Sequence, residues 1–562
     1  MRQSFTEWTK SGAPWVWLNA GAVAICLIMV VGLLSLIAVR GLGHFWPADV
    51  VQANYVENGN SMRLIGENVQ TEEVPAVQLR DSGVTVAEGI ESMQRNLMKV
   101  GNRDHGGSDF IWVLDNNLKD KVHPEMLFTA ERREWGNFYG YLRALKEDGK
   151  QVAAHNGFDK SAEYQALWQD LQARIDRALT IHKQIKEIEK NKIGSINHEL
   201  ERLRLKERSL QIKEISDPAA YQQIDDRRTE LNAEYEGLQG TLIDLYNAVN
   251  RDSLVAEIST GKIVEFKISS VVRAFLPNDM SVLDKSVHYF AKIWEFMTDD
   301  PREANTEGGI FPAIFGTVMM VIIMSVIVTP FGVVAAVYLR EYAKQGFVTR
   351  VIRIAVNNLA GVPSIVYGVF GLGFFVYFLG GHIDDAFFPE AKPAPTFGTP
   401  GLMWASITLA LLTVPVVIVA TEEGLTRIPR AVREGSLALG ATKFETLMKI
   451  VIPMASPAIM TGVILAIARA AGEVAPLMLV GVVKLAPSLP LDLNYPYLHL
   501  DQKFMHLGFH IYDVGFQSPN VEAARPLVYA TALLLVAVIA LLNMSAISIR
   551  NHLREKYKAL EM

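Results

Sequence analysis

The stretch Glu434–Leu477 reads EGSLALGATKFETLMKIVIPMASPAIMTGVILAIARAAGEVAPL, and its reading decides the fold. It opens polar and amphipathic, with Gly440 as a break between two short helical pieces, and turns apolar from Ile450-Val-Ile-Pro453 onward. It then carries two charges, Arg469 and Glu473, deep inside a hydrophobic run. A basic helix–turn–helix fused to an apolar span can seat in a cleft of a partner and pass rigid-body motion to the spans it joins. The plainer reading of the same loop is a basic connection that only orients the chain across a membrane.

Working outward, the apolar run about Ala455–Val483 is one of six long enough to cross a bilayer, which takes roughly 20 apolar residues. Ser11–Val39, Gly308–Leu339, Ile354–Gly381, Pro393–Thr421 and Pro526–Ile549 are the others, and all five are free of charge. Half of the 562 residues are hydrophobic, and mean hydropathy is positive at +0.18. A multi-pass membrane protein is therefore the leading class. A net charge of −6 gives no reason to expect nucleic acid. The single cysteine, Cys26, lies in an apolar run, so no disulfide or thiolate metal site forms within one chain. The histidines at 105, 123, 155, 182 and 198 are scattered without metal-ligand spacing. No GxxxxGK[ST] occurs, so hydrolysis of ATP by this chain alone is not expected.

Basic residues in the short connections set the orientation. Arg340, Lys344, Arg350 and Arg353 lie between spans two and three, and Arg427, Arg430, Arg433, Lys443 and Lys449 between spans four and five. Arg550, Arg554, Lys556 and Lys558 follow the last span. With six spans all three clusters fall on one side, which places both termini in the cytoplasm. The opposite loop His382–Lys392 is acidic, with Asp384, Asp385 and Glu390.

That orientation puts residues 41–307 outside the cytoplasm. From Asp49 to Gly157 the segment mixes β-like runs, such as Phe110-Ile-Trp-Val-Leu114, with turn signals including Glu57-Asn-Gly-Asn60. Between about 160 and 250 the pattern becomes helical. Leu231, Tyr235, Leu238, Leu242, Leu245 and Val249 alternate steps of four and three, as a coiled-coil seam does, and Ile193, Ile196, Leu200 and Leu203 do so upstream. Ser216-Asp217-Pro218 breaks the pattern and restarts a helix, so the two pieces fold back as an antiparallel hairpin. Alternation resumes over Lys262–Phe275. The expectation is a mainly α chain in four parts: a first span (1–40), an α+β insert with a helical hairpin (41–307), a five-span domain (308–549) containing a coupling loop (421–453), and a tail (550–562).

Arg469 and Glu473 are i and i+4, and a span entering near Ala455 places the arginine about 20 Å along the axis. Ionisable groups at that depth cost a few kcal/mol against lipid, so both should face the bundle interior. There the arginine's planar fork of donors suits an anion's oxygens. The competing reading is an ion pair that staples helices together, and the adjacent carboxylate favours it slightly. Pro363 and the glycines at 361, 368, 371 and 373 suit close helix packing or a kink, and Tyr367 among them could reach the pathway.

Two levels of resemblance sharpen this. The spacing Glu434, Gly440, Ile450, Ile452-Pro453 resembles the EAA loop of type I ABC importer permeases, with Gly435-Ser436 in place of two alanines. Arg469-Ala-Ala-Gly-Glu473-Val-Ala-Pro-Leu477 and Gly361-Val-Pro-Ser-Ile-Val-Tyr-Gly368 are similar to segments of the PstA family of phosphate-importer permeases, as are the 308–317 and 330–342 segments and His510-Ile-Tyr512. The PstC permeases choose different residues around these motifs. The resemblance covers about 308–549. The insert far exceeds the short loop of compact members. It implies a bacterial inner-membrane subunit with no cofactor of its own, ATP and Mg being used by a partner. Implied partners are a second, homologous permease, a cytoplasmic ATPase dimer and an extracytoplasmic phosphate-binding protein. It further implies ATPase coupling through Glu434, Gly440, Ile450 and Pro453, and a substrate pathway by way of Arg469, Glu473 and Tyr367. The alternatives are a permease for another oxyanion or solute, and a membrane-anchored sensor or scaffold acting through the insert.

Overall fold

The structure is a computed structural model that describes residues 11–57, 59–81, 89–486, 488–518 and 521–557. The Asn58 and Lys558 positions named above lie outside the described residues. Among the described residues, six helices are long and apolar enough to cross a membrane: 14–43, 311–342, 364–387, 402–427, 443–472 and 524–556. The fourth is the hub, with 67% of its most apolar stretch buried, against none for the first. Met320, Met324, Leu409, Leu412, Val463 and Ala466 pack the second, fourth and fifth spans into one core. The first span lies against the sixth, where Gly41 allows the contact: a Cβ there would stand 2.9 Å from the Ala530 backbone.

Three boundaries differ from the sequence reading, each for a backbone reason. Residues 354–359 belong to a separate amphipathic helix, Phe347–Leu359, because Pro363 sits in extended conformation (ψ 135°) and the third span restarts at Ser364. The fourth span begins at Leu402 and runs on to Arg427; the prolines at 393, 395 and 400 keep its expected first residues in a loop. The fifth helix does not reach Val483. It ends at Gly472, with Glu473 extended (ψ 133°), and Pro476 caps a separate short helix.

Between the first two spans lies an insert whose described residues form two large antiparallel sheets, with a two-stranded ribbon of residues 301–302 and 307–308 at its end. The first, in order β4-β3-β2-β1-β5, comprises β1 (Val50–Glu57), β2 (Asn60–Pro75), β3 (Ser92–Lys99), β4 (Phe110–Leu114) and β5 (Leu118–Val122). The second runs β10-β9-β7-β6-β11, with β8 on the side of β7. Its strands are β6 (Leu127–Arg132), β7 (Phe138–Glu147), β8 (Lys150–Ala154), β9 (Asp252–Glu257), β10 (Ile263–Lys267) and β11 (Val271–Phe275). The 262–275 segment expected as one strand is thus two, separated by a tight turn at Ile268–Ser270.

The helical hairpin interrupts the second sheet between β8 and β9. Helix runs from Ala162 to Ile212 through one widened turn at Ile188–Ile193, about 75 Å at 1.5 Å per residue. It returns as Pro218–Val249, opened by the Asp217 side chain accepting from Ala219 N–H at 3.0 Å. The seam is visible in burial: Leu231, Leu242 and Val249 are buried and Tyr235, Leu238 and Leu245 half-buried, while almost every position between them is exposed. Its base joins the sheet core through Leu171, Ile175, Phe128 and Phe138. Further out, the hairpin reaches the loop between spans five and six. His198 Nε2 lies 2.8 Å from the Tyr495 carbonyl, and the Arg202 guanidinium sits over the Tyr495 ring at 5.5 Å.

Candidate functional site

Two places carry the residues singled out above. The first is the broken end of the fifth span. After Gly472 the chain runs extended through Glu473, turns at Pro476 and forms one short helix, Leu477–Val480. This segment lies in a trough made by small residues of the third span. A Cβ on Gly368 would fall 2.6 Å from Pro476 Cα, and one on Gly371 would collide with Thr408 of the fourth span and approach Val480. Those two glycines do the work of close packing. Gly373, by contrast, has nothing near it.

Arg469 occupies the last helical turn and Glu473 caps it at i+4, where the helical backbone stops. They form an ion pair, at 3.6 Å between Nε and Oε1, with side chains 31% and 20% exposed. That separation is beyond hydrogen-bonding reach. Among the described residues the guanidinium makes no hydrogen bond, so its five donors are unspent. Tyr367 is buried nearby in the third span, and its hydroxyl donates to the Leu359 carbonyl at 2.6 Å. That bond spans the break between the amphipathic helix and the third span. The Tyr367 hydroxyl is therefore committed to a backbone oxygen.

The second place is the loop between spans four and five, on the face away from the insert. Helix Arg430–Ala438 ends at Leu439, Gly440 takes φ +91°, and a new helix starts at Lys443. Thr442 and Glu445 form a reciprocal cap, each side chain accepting from the other's backbone N–H, at 3.2 and 3.0 Å. Ser436 and Thr446 hydroxyls, buried and 2.9 Å apart, hold the two helices together. Leu425, Ile428, Leu447, Val451 and Ala455 pack beneath. Pro453 cannot donate to Lys449, and the helix widens by one turn over Leu447–Val451 before continuing. Ile450 and Pro453 are half-buried in this stem, whereas Glu434 is exposed. Beside Glu434 the loop presents Leu437, Leu439, Phe444 and Met448 to the surroundings, Leu439 at 91% exposure. Large apolar side chains so bare on a polar loop are the mark of a contact surface.

A charge network that the sequence reading did not assemble ties this loop to its neighbours. Arg433 pairs with Glu341 at the end of the second span (3.1 Å) and donates to the Leu425 carbonyl at 2.6 Å. Lys443 donates to the Glu341 carbonyl and lies over the Tyr342 ring at 4.4 Å. Arg353 of the amphipathic helix pairs with Glu422 at 3.3 Å and donates to the Leu339 carbonyl at 3.2 Å. Glu341 and Glu422, at the span ends, are the sequence's clue to these pairs. The outer Asp384 is likewise more than a topology marker. It is buried and accepts from Phe397 and Gly398 N–H at 2.8 and 2.7 Å.

The comparisons with known proteins fall on this same part of the chain. Residues 328–558 match the family described as binding-protein-dependent transport system inner membrane component. The chain is 35% identical over 245 residues to "Phosphate transport system permease protein PstA 1" of Mycobacterium tuberculosis, which covers 43% of this chain and 71% of that protein. It is 32% identical over 202 residues to "Probable ABC transporter permease protein YqgH" of Bacillus subtilis, covering 35% and 62% respectively. To the PstA permease of Yersinia pestis it is 37% identical over 182 residues, or 32% of this chain and 55% of the relative. The family match begins at residue 328, so the insert falls outside it.

Proposed function

Because this chain belongs to the binding-protein-dependent transport permeases, with PstA-type permeases as relatives, we propose that it is the membrane-spanning subunit of an ATP-driven importer of inorganic phosphate, and forms half of the translocation pathway. It sits in the bacterial inner membrane with both termini cytoplasmic and the insert outside. A PstC-like permease completes the pathway, a PstB-like ATPase dimer supplies the energy, and a PstS-like binding protein delivers phosphate from the insert side.

The observation that carries the substrate reading is Arg469. Its guanidinium stands at the broken end of a spanning helix, partly exposed, with every N–H donor unspent and only a loose carboxylate neighbour. A planar fork in that state can meet two phosphate oxygens at once. Glu473 at 3.6 Å moderates the positive charge, so the anion is held weakly enough to leave. Access alternates when the spans move, and the coupling loop is the part that moves them. Glu434, Leu437, Leu439 and Phe444 form its bare face toward the ATPase, while the Ser436–Thr446 contact and the Arg433–Glu341 pair make loop and span end travel together. The chain binds no cofactor and performs no covalent step; ATP and Mg belong to the partner.

The test is uptake of labelled phosphate by cells that lack this chain and then regain it, with labelled sulfate as control. Restored phosphate uptake with unchanged sulfate is expected. Restored sulfate uptake alone would assign the pathway to another oxyanion.

A further inference from the structure

The helix Val282–Thr298, between the insert and the second span, is built inside-out. Its charged side faces the protein. Lys292 pairs with Glu131 at 2.8 Å, Glu295 with Arg302 at 2.7 Å and with Arg273 at 3.1 Å, and Lys285 with Asp49. Its outward side is apolar: Leu283, Val287, Phe290 and Trp294 are 74%, 65%, 68% and 66% exposed. They fall at steps of four, three and four, so they form one continuous stripe along the helix. A water-facing helix carries the opposite arrangement.

Where the helix sits names what covers the stripe. Phe45 and Trp46 directly follow the first span, which ends at Gly43. Phe45 meets Phe296 at 5.1 Å between ring centroids, and Trp46 meets Tyr289, the middle of the helix, at 5.8 Å. Three residues beyond Gly43 reach at most about 10 Å, so half of this helix lies within headgroup depth of the membrane. At its other end, Ile310 N–H donates to the Phe296 carbonyl and Phe311 N–H to that of Asp299, at 2.9 and 3.2 Å, which leads straight into the second span. The stripe thus lies close to the end of the first span, whose most apolar stretch is entirely bare.

We propose that Val282–Thr298 is an interfacial helix whose Leu283–Val287–Phe290–Trp294 stripe lies in the phospholipid leaflet on the insert side and anchors the insert to the membrane surface. An interfacial helix has an apolar face with Trp and Phe set at the headgroup–acyl boundary. This one uses its polar face to grip the insert through Glu131, Arg273 and Asp49 rather than to meet water.

The test uses the full chain in phospholipid nanodiscs, with and without the second permease. In a Cys26→Ser background, an environment-sensitive fluorophore is attached at Val287→Cys or Phe290→Cys, with exposed Asn191→Cys as reference. Blue-shifted emission, quenched by doxyl-labelled lipid and not by iodide in both preparations, is expected. Iodide quenching equal to that at Asn191 would overturn the proposal. Shielding that appears only with the second permease would also overturn it, and would name a protein as the occupant. An unlabelled check avoids any folding defect in the cysteine variants. In brominated-lipid nanodiscs, Trp294→Phe should remove a lipid-quenched component of the tryptophan emission. If the removed component is unquenched, the stripe is not in lipid.

Discussion

Replacing Arg469 separates a transport contact from a structural staple, and the geometry sets the scale of each. Two unit charges 3.6 Å apart attract by about 4–5 kcal/mol at an effective dielectric near 20. That gross figure overstates the pair, because both side chains are partly exposed and no hydrogen bond joins them. Solvent-accessible pairs contribute about 0–1 kcal/mol net. The double change Arg469→Gln with Glu473→Gln should therefore lower stability by no more than about 1 kcal/mol, and the complex should assemble at wild-type yield. If the guanidinium holds phosphate, each charge-assisted hydrogen bond it makes is worth about 1.5–3 kcal/mol. Losing the fork should then cut uptake roughly 10- to 100-fold. Arg469→Lys should fall nearly as far as the double mutant, since ammonium keeps the charge and cannot reproduce the planar fork. Glu473→Gln alone should leave uptake present and slow phosphate release. The assay is labelled phosphate uptake in proteoliposomes, with assembly followed by size-exclusion chromatography. Full uptake by a well-assembled double mutant would refute the pathway role.

Four further outcomes are expected. Gly440→Val forces a β-branched residue into φ +91° where no neighbour crowds a Cβ, so the strain of at least about 1–2 kcal/mol is in the backbone alone; coupled ATP hydrolysis should drop while Gly440→Asn retains most of it, and equal rates in a reconstituted complex would contradict this. Tyr367→Phe removes the hydroxyl donated to Leu359, at about 0.5–1.5 kcal/mol, so thermal unfolding should shift down and hydrogen exchange around 359–364 should rise. At the insert–membrane junction, burial lowers the His288 imidazole to about 4, while Lys292 and Arg273 hold Glu131 at about 2 against the cost of burial; the unfolded state then binds protons first, so stability should be lost as pH falls from about 6.5 toward 4, seen as faster exchange over 282–298, and flattened by His288→Phe. Cysteine placed at exposed Asn191 should react with a membrane-impermeant reagent added outside spheroplasts, and reaction only from the cytoplasmic side would invert the topology.

Much of the membrane part was legible because its signals are local. Charge-free runs mark spans, and Gly440 marks the turn between the loop helices. Where the sequence reading failed, it trusted hydropathy over backbone chemistry. Residues 354–359 are apolar enough to join the third span, yet Gly361-Val-Pro363 was the stronger signal, and it divides an amphipathic surface helix from a spanning one. The same lesson holds at the fifth span. Ala455–Val483 reads as one apolar run, but the helix stops at Gly472 and Pro476 caps a separate short one, Leu477–Val480.

The break also bears on what the pair can do. On an unbroken helix, i and i+4 side chains would lie one above the other and could close a hydrogen-bonded bridge that consumes the guanidinium fork. Here Glu473 caps the helix and its carboxylate stands 3.6 Å from the guanidinium, so that bridge is not closed. The chain downstream folds back onto Gly368 and Gly371 of the third span, so the glycines, the proline and the unspent arginine form one arrangement. Each glycine makes room for the returned segment. The stem of the loop, from Lys443, continues into this same fifth helix and so joins the loop to the turn that carries Arg469.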